Sequence, residues 1–454
     1  MSLPAALTWL QLLPRGTRFS CANAPAWFES MLRDHASDAD AAKPGASAPG
    51  ASITWAKSWN DVAAGLPRHD ALVAINCPQV TTSRVIAAGY TYARRYAALP
   101  SLQNARWFIC LDTGRVAAAS FSLYTPSRRS AHVKKAIART LAKLRVPGWY
   151  RDEIIVASRQ PPPLEAKLAN LFPGETIRLA LSSGAPEPAI NRKPSAAVID
   201  DSGDVLAFAK TATSRVSRDI VEHEAEILAG RAVLDRPQLV MPRLLFAGEV
   251  DGRYVAVQSP LPGTPAPAKF TLEHAKFLAS LQSKTRKAAA ETNMVQSLPR
   301  RIAALRPARP ALADALDAVM PTLEQTPVAS TIVHGDFAPW NLRTHDGKLA
   351  AFDWEYAEID GLPLIDSLHF KLQLGLEMEK WDVSTAAERL GQTTHDDFDR
   401  DQNRAILAVY LIDQLARLYG EGYSSDHDMV GIYEQLLASA KMPEPFWERK
   451  AALV

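Results

Sequence analysis

The chain has 454 residues, which predicts two or three domains, and its 47% hydrophobic and 22% charged residues are typical of a soluble globular protein. No apolar run approaches the ~18–20 residues needed to span a bilayer, and the N-terminus lacks the basic stretch of a signal peptide. The net charge of +2 combines a balance of +10 over residues 1–175 with one of −8 over residues 176–454. Each part is therefore expected to attract partners of opposite charge.

The three cysteines, Cys21, Cys77 and Cys110, are far apart and form no metal-binding or redox motif. Isolated cysteines of this kind are usually small, buried apolar residues. Free thiols persist in a reducing compartment, so we expect a cytoplasmic protein.

The first 175 residues are predicted to form an irregular segment, 1–65, and a basic α/β accessory domain, 66–175. The irregular segment includes a low-complexity stretch of small residues, 36–52, which is typical of a flexible surface loop. Strand-like and helix-like stretches alternate in the accessory domain, as in a small sheet covered by helices. The predicted strands are 71–75, 106–111, 116–124 and 153–157, and the predicted helices are 83–96 and 130–144.

The helix predicted at 130–144 is strongly basic. One apolar stripe at helical spacing is formed by Val133, Ile137, Thr140, Leu141 and Leu144. The positions outside this stripe include the basic residues Arg128, Arg129, His132, Lys134, Lys135, Arg139, Lys143 and Arg145. Such a helix is either an ordinary solvated face or a site for an anionic membrane surface or a phosphorylated acceptor, which would make the protein peripheral to the membrane. Nucleic acid is disfavoured, because interleaved aromatic residues are missing.

From residue 176 the pattern changes to a β-rich segment followed by a helix. Two strand-like runs, 196–200 and 205–210, are joined by the turn Asp201-Ser-Gly-Asp204, and Lys210 ends the second run. A helix is predicted from about 218 to 233. A further strand, 253–258, leads into Ser259-Pro-Leu-Pro-Gly263.

The segment His334-Gly-Asp336-Phe-Ala-Pro-Trp-Asn341, followed by Asp353-Trp-Glu355, is the strongest functional signal. Strand-like runs at 330–333 and 349–352 flank it, with the turn His345-Asp-Gly347 between them. A carboxylate that orients a hydroxyl, followed by an amide and a carboxylate that bind metal, is what phosphoryl transfer requires. The spacing His-x-Asp-x-x-x-x-Asn equals that of the protein-kinase catalytic loop.

These residues resemble the aminoglycoside phosphotransferase and choline kinase-like family, small-molecule kinases with a protein-kinase-like fold. The resemblance covers about 176–375 and, loosely, the C-terminal helices. It implies that Asp336 is the catalytic base and that Asn341 and Asp353 bind Mg²⁺. Glu355 would hold a water or a second metal, and His334 would brace the loop.

The resemblance also implies an ATP site. Lys210 would contact the phosphates and pair with Glu224 of the following helix, although Glu222 and Glu226 remain alternatives. Gln258, Ser259 and Leu261 lie where the family's hinge meets adenine. The full Gly-rich loop is absent, and Ser182-Ser183-Gly184 stands in its place, with Ser183 as a contact to phosphate or part of a simple turn.

The C-terminal half is predicted to be helical and acidic. Helix-like spacing occurs at 271–285, 298–305, 312–319 and 405–418. Asp366 resembles a family residue that anchors the following helix. Phe337 and Trp340 would either line an acceptor pocket or pack the catalytic loop.

Together these features predict an α+β protein, in which the accessory domain precedes a bilobal kinase-like domain with an N-lobe at 176–262 and a C-lobe at 263–454. We expect an ATP- and Mg²⁺-dependent kinase of a small-molecule hydroxyl, on a sugar, amino sugar, amino alcohol or antibiotic-like acceptor. The alternative is a pseudokinase that recruits a partner through its basic N-terminal domain. A protein-directed kinase is disfavoured, because the Gly-rich, Asp-Phe-Gly and Ala-Pro-Glu signatures are missing.

Overall fold

The computed structural model describes residues 4–15, 17–39, 50–55, 58–63, 70–126, 129–184, 189–230, 239–305 and 307–440. Two compact units are formed, the first by Met1–Glu222 with Leu244–Pro260, and the second by His223–Arg243 with Leu261–Val454. Helices and strands are mixed in both, which confirms the predicted α+β class. In the described part of the chain, every helix is too short or too polar to cross a membrane.

The first unit is built on one sheet of eleven strands in the order β1-β2-β3-β6-β4-β5-β7-β8-β9-β11-β10. The strands are β1 Arg18–Ala22, β2 Gly50–Thr54, β3 Ala71–Ile75, β4 Tyr92–Leu99, β5 Trp107–Cys110, β6 Asp152–Ser158, β7 Arg178–Ser182, β8 Ser195–Ile199, β9 Val205–Thr211, β10 Leu244–Val250 and β11 Arg253–Gln258. β1, β2 and β3 are parallel, and the other pairs are antiparallel. The strands of the accessory region and those expected for the N-lobe therefore share one sheet, in which β5 pairs with β7. The limits 66–175 and 176–262 stay a prediction.

The helices of the first unit are short, apart from α1 and α5. They are α1 Ala26–Ala39, α2 Trp59–Ala63, α3 Thr82–Ala87, α4 Gly114–Ala119, α5 Arg129–Lys143 and α6 Pro163–Ala169, with 3₁₀ turns at Ala5–Leu12, Ser120–Leu123 and Ala189–Asn191. α7, Arg215–Ala229, follows β9 and continues into the second unit. It covers most of the helix predicted at 218–233, of which residues 231–233 lie outside the described part.

The prediction that residues 1–65 are irregular is wrong for their described residues. Seven of the eight residues of the 3₁₀ turn Ala5–Leu12 are buried, and Trp9 is fully enclosed in the core. β1 and β2 extend the sheet beyond β3. Of the low-complexity stretch 36–52, residues 40–49 lie outside the described part.

Two predicted elements of the accessory region are corrected. The helix predicted at 83–96 ends at Ala87, since Gly89 takes a left-handed φ of +97°, and β4 follows. The strand predicted at 116–124 is α4 with a 3₁₀ turn. Thr113 caps α4 by accepting a hydrogen bond from the Val116 amide, a side-chain contact that strand periodicity does not reveal.

A buried ionic network connects β4, β7 and α6 in the first unit. Arg178 Nε lies 2.8 Å from Asp112 Oδ2, and Arg94 lies 3.5 Å from the same oxygen and 2.8 Å from Glu165. Tyr92 donates to Glu165 at 2.6 Å. Burial raises the pKa of Glu165, and the hydrogen bonds and charge of Arg94 oppose that shift.

The second unit is largely helical. Its helices are α8 Leu272–Ser280, α9 Asn293–Ala303, α10 Pro310–Gln325, α11 Ile365–Leu374, α12 Val383–Gly391, α13 Arg400–Gly420 and α14 Asp428–Ala440, with 3₁₀ turns Ala289–Glu291 and Pro339–Asn341 and a π turn Gly375–Glu379. Two three-stranded sheets, β12-β15-β16 and β13-β14-β17, carry the loops of interest. Their strands are β12 Thr264–Pro265, β13 Gln282–Ala288, β14 Pro327–Val333, β15 Leu342–His345, β16 Lys348–Ala351 and β17 Glu358–Gly361.

The helix predicted at 271–285 is wrong in its second half, because α8 ends at Ser280 and β13 pairs with β14. The other predicted helices of this half are confirmed with longer bounds, and the fully buried α13 face forms the centre of the helical core. This core includes residues of α11, whose Asp366 contacts the loop 334–341.

Candidate active site

The loop 334–341 begins where β14 ends, and it requires a glycine at its second position. Gly335 has φ +79°, and a Cβ atom there would lie 2.2 Å from the Tyr356 carbonyl oxygen. Any side chain would therefore displace the loop from the segment that follows β16. His334 and Gly335 together fix the direction in which Asp336 leaves the strand.

Asp366 at the start of α11 holds the backbone of this loop. Its carboxylate accepts hydrogen bonds from the amides of His334, at 2.8 Å, and Gly335, at 3.0 Å. Burial raises the pKa of Asp366 to about 7, against the opposing effect of these two bonds. Asp366 therefore holds the loop 334–341, and its expected role as an anchor of the following helix stays a prediction.

His334 braces the loop from inside, as the sequence resemblance implied. Its Nδ1 accepts the Asp336 amide at 3.3 Å, and its Nε2 lies 3.0 Å from the Phe352 carbonyl, to which it must donate. Burial lowers the pKa of His334 to about 4, although Asp336 opposes that shift. His334 is therefore neutral at physiological pH and unsuited to proton transfer there.

Asp336 is held at both carboxylate oxygens. His369 Nε2 lies 2.9 Å from Oδ1, and Asn341 Nδ2 donates to Oδ2 at 2.8 Å. The Asp336 side chain remains 24% exposed, whereas His369 is buried. Asp336 is thus fixed in orientation and still open to a small molecule.

His369 is itself oriented by buried tyrosines. Its Nδ1 lies 3.2 Å from the Tyr410 hydroxyl, which lies 3.3 Å from that of Tyr433, and Gln373 Nε2 donates to Tyr433 at 3.3 Å. Because an ionised carboxylate only accepts, Nε2 of His369 must donate to Asp336.

A cationic environment keeps Asp336 ionised. Burial would raise the pKa of Asp336, but the hydrogen bond and charge of His369, together with the charge of Arg417, outweigh it and hold the pKa well below its usual range. Arg417 of α13 donates to the Gly335 carbonyl at 3.0 Å and lies 4.0 Å above the Tyr356 ring.

Asn341 presents its amide nitrogen to Asp336, with a second bond of 3.0 Å to the Asp336 carbonyl. With the nitrogen committed to these two acceptors, the amide oxygen is the atom available to a metal ion. Asn341 is buried in the 3₁₀ turn Pro339–Asn341, so its orientation is fixed by packing.

Three carboxylates converge after β16. The side chains of Glu224, Asp353 and Glu355 place one oxygen each within 4.8 Å of the others. Asp353 has a left-handed φ of +71°, and Glu224 and Glu355 are buried. Oxygen-only donors of this charge fit a hard divalent cation such as Mg²⁺.

The three glutamates of α7 differ in their burial and in their neighbours. Glu224 is buried beside Asp353 and Glu355, whereas Glu222 pairs with Arg218 at 2.7 Å and Glu226 is exposed. His223, one residue earlier, lies 2.7 Å from the Ala357 carbonyl and fastens α7 to the segment after β16. The ion pair of Glu224 with Lys210 stays a prediction.

The other residues predicted to contact the nucleotide lie on β9 and β11 or shortly after β11 in the sequence. Lys210 is on β9 in register with Ser195 and Ala256, and Gln258 ends β11, where its side chain is buried. Ser259 and Leu261 follow in the extended segment and are half-buried. Their nucleotide roles stay predictions.

Ser183 follows β7. It was predicted to contact phosphate at the position where the Gly-rich loop is missing. It is buried, and its amide donates to the Arg106 carbonyl at 2.9 Å. That amide is committed to the protein, so only the hydroxyl is left for a phosphate. A nucleotide role for Ser183 stays a prediction.

The aromatic residues of the loop pack inward. Phe337 is fully buried and stacks on Phe277 at 5.7 Å, and Trp354 donates to the Ala351 carbonyl at 2.9 Å. Trp340 is half-buried. For Phe337, packing of the loop is therefore the role that the structure supports.

A fixed carboxylate, an amide oxygen and a carboxylate cluster form the set that phosphoryl transfer needs. The class so defined is the ATP- and Mg²⁺-dependent phosphotransferases of protein-kinase-like fold. Residues 197–367 match the model of the phosphotransferase enzyme family, in agreement with the resemblance seen in the sequence.

Similar solved structures have low sequence identity. A thermostable mutant of an aminoglycoside phosphotransferase, in complex with ADP and hygromycin B, is 15% identical, with 62% of this chain and 99% of that chain covered and a TM-score of 0.42. An ethanolamine kinase of Plasmodium vivax is 12% identical (73% and 94% covered, TM-score 0.41). The choline kinase of Streptococcus pneumoniae is 11% identical (61% and 96% covered, TM-score 0.42). None of the curated proteins matches the chain significantly.

His369 and Arg417 were not predicted from the sequence. His369 stands three residues after Asp366, and residues i and i+3 share one face of a helix, so a loop-facing Asp366 places His369 toward the loop as well. That signal was present in the sequence. Arg417 had none, because α13 reaches the loop only through the packing of the helical core.

Proposed function

We propose that this protein transfers the γ-phosphoryl group of ATP to a hydroxyl of a small molecule, with Asp336 as the base. Sugars, amino sugars, amino alcohols and antibiotic-like molecules are the acceptor classes. The observation that carries the proposal is the double anchoring of Asp336 by His369 and Asn341. The three free cysteines support a cytoplasmic location.

Asp336 would receive the acceptor hydroxyl. Each carboxylate oxygen has two lone-pair directions, and one on each oxygen is occupied by His369 or Asn341. The remaining directions can accept the hydroxyl proton and orient its oxygen toward phosphorus. The low pKa of Asp336 favours orientation of the hydroxyl over early removal of its proton, which suits a loose transition state.

The metal-binding residues would be Asn341 and Asp353, with Glu355 as a further ligand or a water holder. When bound, Mg²⁺ neutralises phosphate charge. Asn341 donates through its amide nitrogen to Asp336, which leaves its amide oxygen as the proposed metal ligand, and Asp353 has a left-handed backbone. Lys210, supported by Glu224, is proposed to contact the phosphates, and Gln258, Ser259, Leu261 and Ser183 the nucleotide.

The test is Mg²⁺-dependent ADP release in the presence of a panel of small alcohols, amino alcohols, sugars and aminoglycosides, with casein as a protein acceptor. We expect stimulation by at least one small hydroxyl compound and none by casein. Asp336→Asn should abolish the stimulation, and the exposed Asp346→Asn serves as the matched control. Stimulation by protein alone would overturn the proposal, and ATP binding without turnover on any acceptor would favour the pseudokinase.

A further inference from the structure

The basic helix α5 has its apolar residues on the side away from the protein. Val133 and Ile137 are 60% and 55% exposed, and Leu144 and Val146, just after the helix ends at Lys143, are 68% and 37% exposed. Spacings of four and seven residues place the first three in one row along the helix, which we call the outer row. A row of large aliphatic side chains in water is the reverse of an ordinary surface helix.

The inward side of α5 is made of small residues. Ala142 belongs to a buried cluster that includes Leu111 and Phe121, Ala138 packs against this cluster, and Lys135 donates to the Tyr124 carbonyl. Gly114 permits this approach, since a Cβ there would lie 2.1 Å from the Lys143 carbonyl oxygen. The helix is therefore fixed to the unit by its alanine side, and burial of the outer row is not needed for folding.

Cations flank the outer row. His132, Arg139 and Lys143 lie on one side at helical spacing and Lys134 on the other, all exposed. From residue 113 to residue 151 the sequence contains nine Lys and Arg residues and no Asp or Glu. The surface thus combines uncompensated positive charge with exposed aliphatic side chains.

We propose that the outer row and its flanking cations bind an anionic phospholipid membrane. Aliphatic side chains enter the boundary between headgroups and acyl chains, and Lys and Arg beside them attract anionic headgroups. A nucleic acid would use the charge and leave the aliphatic row in water, because that row offers no aromatic ring for stacking. A stable protein interface usually needs 20–30 residues on each side, many more than this row provides.

The test is co-sedimentation of the full chain with vesicles of phosphatidylcholine alone, or with 30% phosphatidylserine. The triple variant Val133→Ser/Ile137→Ser/Leu144→Ser removes the outer row. The control replaces three other exposed aliphatic residues, Ile86→Ser/Leu272→Ser/Ile359→Ser, which are 50%, 68% and 43% exposed. All six side chains are exposed, and equal unfolding midpoints will establish that both variants fold.

We expect the wild type to bind the anionic vesicles and not the neutral ones, with a partition constant that falls at least ~10-fold in the outer-row variant and not in the control. Binding should also weaken with salt and in Lys134→Gln/Lys143→Gln. Equal binding by the outer-row variant, or no vesicle binding by the wild type, would overturn the proposal. A wild-type dimer that the outer-row variant dissociates, in the absence of vesicle binding, would make the row a protein interface. None of these readouts requires ATP, so the proposed kinase activity is tested separately.

Discussion

His369 Nε2 lies 2.9 Å from Asp336 Oδ1, and the histidine is almost completely buried while the carboxylate remains accessible. This relationship makes His369 a positioning residue for the proposed base. It connects the catalytic loop to α11 and, through Tyr410, to α13. The helical core therefore sets the orientation of Asp336.

Removal of His369 should impair turnover more than binding. We expect His369→Ala to lower kcat about 10- to 100-fold with little change in KM for ATP, because Asp336 loses one of its two anchors. His369→Gln, which can still donate, should recover part of kcat. Steady-state kinetics with the best acceptor will measure both, and an unchanged kcat in His369→Ala would remove His369 from the mechanism.

His334 should weaken the folded state in mild acid. Its folded pKa of about 4 lies below its unfolded pKa of about 6.5, so the unfolded chain binds the proton more readily. The contribution of His334 to stability is present above about pH 6.5 and is lost as the pH falls toward 4. Chemical denaturation from pH 7 to 4 measures this loss, and NMR of the His334 ring at pH 5.5 should show the neutral Nε2–H form.

Asp366 should stabilise the folded state at low pH, which is the opposite of the effect of His334. Its folded pKa of about 7 is above the unfolded value, so its contribution is greatest below about pH 4 and is lost as the pH rises through 7. In Asp366→Asn, which cannot ionise, the free energy of unfolding should increase more steeply with pH between 4 and 7 than in the wild type. The same denaturation series compares the two, and parallel curves would contradict the shifted pKa.

Removal of the Asp112 carboxylate from the ionic network of the first unit should lower the free energy of unfolding. Asp112→Ala leaves Arg178 and Arg94 buried with one partner fewer, and we expect a loss of about 3 kcal/mol in the free energy of unfolding. Asp201 contacts the same Arg178 at 3.4 Å but is 55% exposed, so Asp201→Ala is the control and should cost below ~1 kcal/mol. Urea unfolding will measure both, and equal losses would show that burial does not determine the effect.

The sequence predicted those features whose residues lie close together along the chain. The loop of Asp336 and Asn341 and the turn His345-Asp-Gly347 depend on local spacing and turn residues, and both were predicted from the sequence. The strand that pairs with β16 across this turn is β15, which was not predicted. The eleven-stranded sheet depends on the pairing of β5 with β7, which are distant in sequence. Arg417 and the tyrosines behind His369 reach the site through tertiary packing, which no local pattern encodes.

The errors have the same origin. The helix predicted at 83–96 combined α3 with β4, because the alanines and tyrosines of both fit helical spacing until Gly89 interrupts them. The apolar stripe of α5 was recognised from the sequence, but the side of the helix that packs on the protein was not predicted. The structure packs Ala138 and Ala142 inward and exposes Val133, Ile137 and Leu144.

The most direct measurement is calorimetry of ATP binding, with and without Mg²⁺, on the wild type, Asp353→Asn and Asp346→Asn. Both aspartates have a left-handed backbone, which asparagine tolerates, so the two variants differ mainly in whether the proposed metal site is altered. We expect Mg²⁺-dependent binding of ATP by the wild type and by Asp346→Asn. We expect Asp353→Asn to lose this Mg²⁺-dependent binding. Wild-type binding by Asp353→Asn, or no binding by the folded wild type, would contradict the account.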